Sequence, residues 1–440
     1  VKILLSAFAC RPGTGSEPGV GWNWAIRLAN AGFEVWVLTR SIGRAQIETF
    51  LQSHPLPNLH FVYHDAPAAV EWIYHKPFGF YAHYLVWQWG AYRRARQLHK
   101  QVHFDRAHHV TIATVRQPSF MGLLGIPFVL GPVAGGETAP RPLRKSFPLT
   151  GKIREWLRDI SNRLISIDPL MRLTFERANL ILVTSRETGN LLPRRYQNKS
   201  RVQLAVAIEP DEIPGRTDTL PQSQRLLSLR RCDWHSEPFR ILYVGRLLDF
   251  KGIHLGLAAF ADVIRHIPES RMTIVGSGPD EKWIRSYSER LGLKDAVEWI
   301  QMIERGELLK KYADFDVFLF PSLHDSGGMV LLEAMLQGLP VVCFDLGGPA
   351  TIVNNECGAV VPTGNRTERE VIESLRDQLI TLASESHIRT QLGLNAMRRA
   401  QQFTWQLAFE SIYGREPAVH NRFAPQYSGA ASATTAGGSA

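Results

Sequence analysis

Cysteine is scarce in this chain: four residues in 440, Cys10, Cys232, Cys343 and Cys357, with no CxxC pair. That excludes a disulfide scaffold and a thiolate zinc site, and it suits a reducing compartment, here the cytoplasm. No uninterrupted apolar run reaches the roughly 18 residues that a spanning helix needs, which argues against an integral membrane protein. A Walker A sequence is absent. So is a dinucleotide fingerprint, because Gly13-x-Gly15 meets Pro18 where a third glycine should stand. The second predicted strand also ends in Thr39-Arg40, without the acid that holds an NAD ribose. What is present, 45% hydrophobic and 21% charged residues, is an ordinary globular mixture. Its length implies two or three domains. The opening VKILLSAFAC has one cation and a short apolar run, and reads as a buried first strand and not a leader.

The net charge of +9 is unevenly spread. Residues 1–208 hold 26 Lys and Arg against 12 Asp and Glu, net +14, and the remainder is net −5. A basic first half suits an anionic partner, either a membrane surface or a pyrophosphate-bearing acceptor. Trp72, Tyr74, Phe78, Phe80, Tyr81, Tyr84, Trp87, Trp89 and Tyr92 form a dense aromatic stretch, followed at once by Arg93, Arg94, Arg96 and Lys100. A second basic run is Arg141, Arg144, Lys145, Lys152, Arg154 and Arg158. The plainer alternative is that the aromatics pack a core and the cations are solvated. Nucleic acid is not expected as a partner.

Strand-like and helix-like segments alternate twice. Strands are predicted at Ile3–Ala9, Phe33–Leu38, Leu59–Tyr63, Arg106–Val110, Ile126–Leu130, Leu180–Thr184 and Gln203–Ala207, with a Gly-rich loop over Gly13–Gly21. A second series begins at Arg240–Val244 and runs through Arg271–Val275, Ala296–Ile300, Val317–Phe320, Pro340–Cys343 and Gly358–Val361. The pattern predicts an α/β protein of two Rossmann-like, doubly wound domains facing a central cleft. Residues 1–208 form the first domain, the Pro-rich 209–238 a linker, and 239–403 the second domain. Residues 404–427 hold a terminal helix with no docking site assigned, and 428–440 a disordered tail of Ser, Gly, Ala and Thr.

Ligands of open α/β sheets bind past the strands' carboxyl ends, so the post-strand loops carry the argument. Three in the second domain converge in type. One holds Gly245, Arg246, Lys251 and Gly252; one holds Gly276, Ser277 and Gly278; one runs from Pro321 through Asp325, Gly327 and Gly328 to Met329. Arginine offers a planar fork to phosphate oxygens and lysine a point charge. Glycines before a helix let backbone N–H groups approach an anion. Glu333 follows on the next helix, where a carboxylate can accept two bonds from a ribose diol. Together these loops predict a diphosphate pocket. The acidic pair Asp314-Phe315-Asp316 fits a metal-binding pattern but starts its strand, roughly 13 Å from the ligand edge at 3.3 Å per residue. No metal site and no cofactor are expected.

The set Arg246…Lys251, Ser277-Gly278, and Asp325-x7-Glu333 followed by Gly338-Leu339-Pro340 resembles family 4 of the retaining glycosyltransferases, of the GT-B fold. Ser16 to Trp22, His108–Ser119 and Gly131–Glu137 extend the resemblance through the first half. The resemblance implies that a sugar passes from a nucleotide diphosphate to an acceptor hydroxyl with retention, in polysaccharide or glycolipid assembly. It implies that Arg246 and Lys251 hold the diphosphate and that Glu333 binds the ribose. Gly327, Gly328 and Met329 would offer N–H groups, Gly278 would line the donor site, and Met302 would flank the base. Gly19 and Gly21 would close over the diphosphate. His109, or else His108, would meet the sugar or leaving group, since neighbours on a strand face opposite ways. Glu137 and Arg116 would lie on the acceptor side, toward a lipid-linked or saccharide acceptor. Members usually carry glutamate at both ends of the x7 spacing. Asp325 is about 1.5 Å shorter in reach, which leaves the sugar open and admits a non-catalytic nucleotide-sugar-binding protein. A GT-B epimerase or phosphorylase is the other alternative.

Overall fold

The computed structural model describes residues 1–74, 76, 79–209 and 238–414. Most of the linker, the tail, Cys232 and Phe78 therefore lie outside the described residues. Short apolar runs such as Ile3–Leu5 and Val317–Phe320 are buried on both faces, as central strands of parallel sheets must be.

Seven strands form the first sheet: β1 Lys2–Ser6, β2 Glu34–Thr39, β3 Leu59–Tyr63, β4 Arg106–His109, β5 Phe128–Val133, β6 Leu180–Val183 and β7 Ser200–Val202. All pair in parallel, in the order β3-β2-β1-β4-β5-β6-β7. Helices α1 Ser16–Asn30, α2 Arg44–Ser53, α3 Ala68–Glu71, α4 Gly79–Val102, α5 Leu149–Leu164, α6 Pro169–Arg177, α7 Arg186–Leu191 and α8 Arg194–Gln197 lie between the strands. The second sheet comprises β8 Arg240–Val244, β9 Arg271–Val275, β10 Val297–Ile300, β11 Val317–Phe320, β12 Val341–Phe344 and β13 Gly358–Val361, again parallel, in the order β10-β9-β8-β11-β12-β13. Its helices are α9 Ile253–His266, α10 Glu281–Arg290, α11 Arg305–Lys311, α12 Met329–Leu336, α13 Pro349–Ile352, α14 Glu368–Ser384 and α15 Ser386–Ala400. A final helix, α16, spans Trp405–Tyr413.

Strand order reverses between β1 and β4 in one sheet and between β8 and β11 in the other. Those are the switch points where a crevice opens beyond the strand ends. The post-strand loops named above thus flank the second switch point.

Several local expectations need correction. The first helix begins at Ser16, inside the expected Gly13–Gly21 loop, so Gly19 and Gly21 are helical. Pro18 fits a first turn, where its missing N–H has no intrahelical partner to lose. The last strand of the first sheet is Ser200–Val202, because those residues pair with β6; the apolar Leu204, Ala207 and Ile208 instead bury themselves as irregular chain. Helix α16 packs on the first domain, with Trp405 edge-on to Trp24 at 5.9 Å and Phe409 edge-on to Phe33 at 6.0 Å. The Ile208 amide bonds the Phe403 carbonyl at 3.1 Å, so two passages between the domains lie side by side.

The segment from Ala139 to α5 also crosses. Ala139, Leu143 and Phe147 belong to the same buried cluster as Ile253 and Ile274 of the second domain. Ser146 donates to Glu368 at 2.8 and 2.9 Å, and Arg154 reaches Asp249 at 3.0 Å and Asp280 at 3.1 Å. Part of the basic run is thereby neutralised by acids of the other domain.

Candidate donor site and its opposing face

The loops after β8 and β9 are laced by main chain: the Gly245 amide donates to Val275 and the Leu247 amide to Ser277, both at 3.0 Å. A Cβ on Gly278 would stand 2.3 Å from the Leu247 carbonyl oxygen. Gly278 is therefore required for this contact, whatever it later meets. The lacing throws Arg246 outward: its side chain is exposed and makes no ion pair with any described residue. Lys251 sits a turn further on, and its Nζ is paired with Asp325 Oδ2. Gly252, at φ 65°, lets that turn approach the Pro321 carbonyl, where a side chain could not fit.

Asp325 is fixed by its own loop. Its Oδ1 accepts from the Gly327 amide at 3.1 Å, and its carbonyl accepts from Gly348 at 2.7 Å. Gly328, at φ 144°, turns the chain into α12, which starts at Met329 without a side-chain cap. First-turn N–H groups have no intrahelical partner, so this terminus presents unsatisfied donors beside Lys251 and Asp325. Glu333, only 4% exposed, accepts from Arg305 Nε at 2.7 Å and from the Tyr312 hydroxyl at 3.3 Å. Burial, then the Glu333 charge, pushes the Tyr312 hydroxyl well above its ordinary pKa, so it stays a donor. Met302 is 82% exposed on the loop after β10. The structure thus gathers Arg246, Lys251, Asp325, Gly327, Gly328, Met329 and Glu333 at one switch point. Arg305 was not anticipated. The available signal was a cation placed five residues past a strand end.

The first domain's candidates are placed differently. His108 is fully buried, with Nδ1 2.6 Å from the Tyr413 hydroxyl and Nε2 2.8 Å from the Gly131 carbonyl. It is a packing histidine, not a cleft residue, because its side of β4 is covered by α16. His109 points to the other side, with Nε2 3.1 Å from the Tyr84 hydroxyl, yet it too is 2% exposed. Burial holds His108 down to about 4 and His109 down to about 3, so both rings are neutral at neutral pH. Glu137 is likewise internal: it accepts from the Gly135 amide at 3.0 Å and from the Thr184, Ser185 and Thr188 hydroxyls at 2.7–3.1 Å. Arg116 binds the Gly135 carbonyl and Asn162. Both residues tie the 131–137 loop to its neighbours, so the acceptor-side assignment gives way to a packing one. Gly19 and Gly21 are buried where a Cβ would meet the carbonyls of Thr14 and Ala9 at 2.1 and 2.2 Å. Glu17, in the same turn, accepts from the Ile112 amide at 2.8 Å and fixes the loop after β4.

Across the domains, Glu155 of α5 meets His324 Nε2 at 3.0 Å, and the His324 ring stacks on Phe250 at 4.0 Å. The Gly347 amide donates to Glu187 at 2.8 Å. The residues flanking Asp325 and Lys251 are thus braced from the first domain. The acids Asp314 and Asp316 lie at the other end of β11, where Asp316 accepts from the Arg240 amide at 2.8 Å.

Two parallel, doubly wound domains with a shared central cleft define a GT-B fold. Residues 230–399 match the family described as Glycosyl transferases group 1. A D-inositol 3-phosphate glycosyltransferase of Corynebacterium diphtheriae is 29% identical over 252 residues, 54% of this chain and 56% of that protein. One of the same description from Kineococcus radiotolerans is 33% identical over 222 residues, 46% and 50% respectively. The matched region spans about half the length of these curated relatives. Among solved structures, a lipopolysaccharide outer core galactosyltransferase superposes with a TM-score of 0.62 at 16% identity, covering 94% of this chain and 98% of that one. Anabaena HepE, solved with UDP and glucose, gives 0.56 at 17%, covering 93% and 98%. At these identities the likeness is one of fold.

Proposed function

We propose that the chain transfers a sugar from a nucleoside diphosphate sugar to an acceptor hydroxyl, with retention at the sugar carbon. One observation carries the reading: Arg246, Lys251 and the uncapped start of α12 converge at the second switch point. As the glycosidic bond lengthens, the carbon gains oxocarbenium character and negative charge collects on the departing diphosphate. Two fixed cations and oriented amides stabilise that charge as it develops. Glu333, held by Arg305 and Tyr312, is positioned to accept from a ribose diol while its bonded donors keep it oriented. The diphosphate competes with Asp325 for Lys251, so donor binding and the position of Asp325 are linked. The acceptor is a lipid-linked or saccharide hydroxyl presented at the cytoplasmic face of a membrane, a reading supported by the +14 charge of residues 1–208.

UDP is the first nucleotide to try, since HepE was solved with it. Calorimetric titration with UDP, GDP and ADP, followed by NMR of the matching sugar donor with an acceptor, tests the reading. Binding of one diphosphate and a product with the donor's anomeric configuration are expected. Binding without turnover would leave a nucleotide-sugar-binding protein, and inversion would remove the retaining mechanism.

A further inference from the structure

Helix α5 is built inside out. Its buried residues are Gly151, Glu155 and Asn162. Its exposed ones include Leu149 at 73%, Ile153 at 48%, Trp156 at 60%, Leu157 at 44% and Leu164 at 51%. At 3.6 residues per turn those five occupy roughly a 100° arc, opposite the buried polar face. The orientation is anchored. Glu155 is held inward by His324, and Arg154 is held by Asp249 and Asp280. Turning the apolar stripe inward would break these ion pairs.

A stripe of this size on a solvated helix marks a contact surface. Its chemistry selects the partner. Lys145, Lys152 and Arg163 are exposed beside the stripe and have no carboxylate partner among the described residues. Asp159, on the same helix, is already paired with Arg144 at 2.9 Å. An outward apolar arc flanked by unpaired cations, with an indole at its middle, fits the headgroup boundary of an anionic bilayer. A second copy of the chain fits less well, since a two-fold contact sets the same cations against each other. No helix among the described residues is long and apolar enough to cross a membrane.

We propose that the outward face of α5 docks the protein on an anionic lipid bilayer, its apolar stripe entering the interface and Lys145, Lys152 and Arg163 meeting lipid phosphates. The same helix braces His324, next to Asp325, so docking sets the donor loop close to the bilayer. The proposal relocates the membrane contact. Of the aromatic stretch first considered, Tyr84 and Trp87 are fully buried in the core, while Trp72, Tyr81 and Trp89 remain exposed. It rests on the transfer reading only for the claim that the acceptor lies at that surface.

The test is flotation of the full chain with vesicles of phosphatidylcholine alone or with roughly 30% phosphatidylglycerol. Binding to the anionic vesicles, weakened by salt, is expected. Ile153→Asp with Trp156→Asp should reduce the bound fraction at least tenfold, and Lys145→Gln, Lys152→Gln and Arg163→Gln together should reduce it severalfold. Nucleotide affinity and the circular dichroism spectrum of these variants should match the parent, which separates this proposal from the donor reading. Failure of the parent to float with anionic vesicles at low salt overturns the proposal. So does equal flotation of the aspartate variant, or a parent dimer that this variant converts to monomer without any vesicle binding.

Discussion

The two switch points of this molecule use polar side chains in opposite ways. In the second domain, Arg246 stands exposed, the start of α12 is uncapped, and Lys251 and Asp325 keep part of their surface in the crevice. In the first domain, His108, His109 and Glu137 are 0–4% exposed and turn their hydrogen bonds inward. Both sets lie at carboxyl ends of central strands, so position along the sheet does not separate them. What separates them is how far a neighbouring element closes over the strand end: α16 and α4 cover β4, whereas α5 and α7 brace the loops after β8, β11 and β12 but leave Arg246 exposed. The first set should therefore respond to perturbation as structure, the second as chemistry.

The largest expected contrast is in acid. His108 and His109 have folded pKa values near 4 and 3, below an unfolded value of about 6.5. Sign follows from proton uptake: below pH 6.5 the unfolded chain binds protons that the folded chain refuses, so stability is intact above that pH and falls as pH drops. At pH 5 each ring accounts for about 2 kcal/mol at 1.36 kcal/mol per unit. Denaturant midpoints measured from pH 7 to 5 should fall accordingly, and His108→Gln should flatten the slope. A midpoint independent of pH over that range would mean that the rings titrate freely and face solvent.

Arg246→Ala and Lys251→Ala come next. Each removes a charge-assisted contact made in the transition state, at a cost of about 3 kcal/mol, or roughly 150-fold in kcat/KM. Their melting temperatures should barely move. Wild-type turnover in both would dissolve the distinction between the two switch points. Glu137→Gln should show the reverse: about 2 kcal/mol of stability lost, because an NH2 now faces donors, with nucleotide affinity unchanged. A loss of acceptor affinity in a stable Glu137→Gln protein would restore its acceptor-side role.

The sequence makes the second region legible because its signals are backbone signals. A glycine that permits close approach, a cation after a strand and a helix start all have fixed offsets. The first region's misplacements share one cause: exposure is a tertiary property. His108 is covered by Tyr413, 305 residues away. Nothing in the local sequence near β4 announces that helix. Period also fails to give direction. The apolar stripe of α5 has ordinary helical spacing, and only the partners of Arg154 and Glu155 show that it faces out. Glycine and proline over Gly13–Gly21 suggest a loop, yet Pro18 lies in the first turn of a helix and Gly19 and Gly21 pack it.

The smallest expected effect probes the pair that joins the two behaviours. Asp325 is internal in that it caps the Gly327 amide, and chemical in that it neutralises Lys251. Asparagine keeps the oxygen for Gly327 and removes the charge. With its counter-ion gone, Lys251 meets a diphosphate without a competing carboxylate. Asp325→Asn should thus bind the nucleoside diphosphate about threefold to fivefold more tightly, under 1 kcal/mol for a partly exposed pair, with the gain shrinking at high salt. Transfer should nevertheless slow if this carboxylate contacts the donor sugar, as the family resemblance implies. Weaker diphosphate binding in Asp325→Asn would show that the carboxylate aims Lys251 instead of competing for it, and Asp325 would then belong with the internal, structural set.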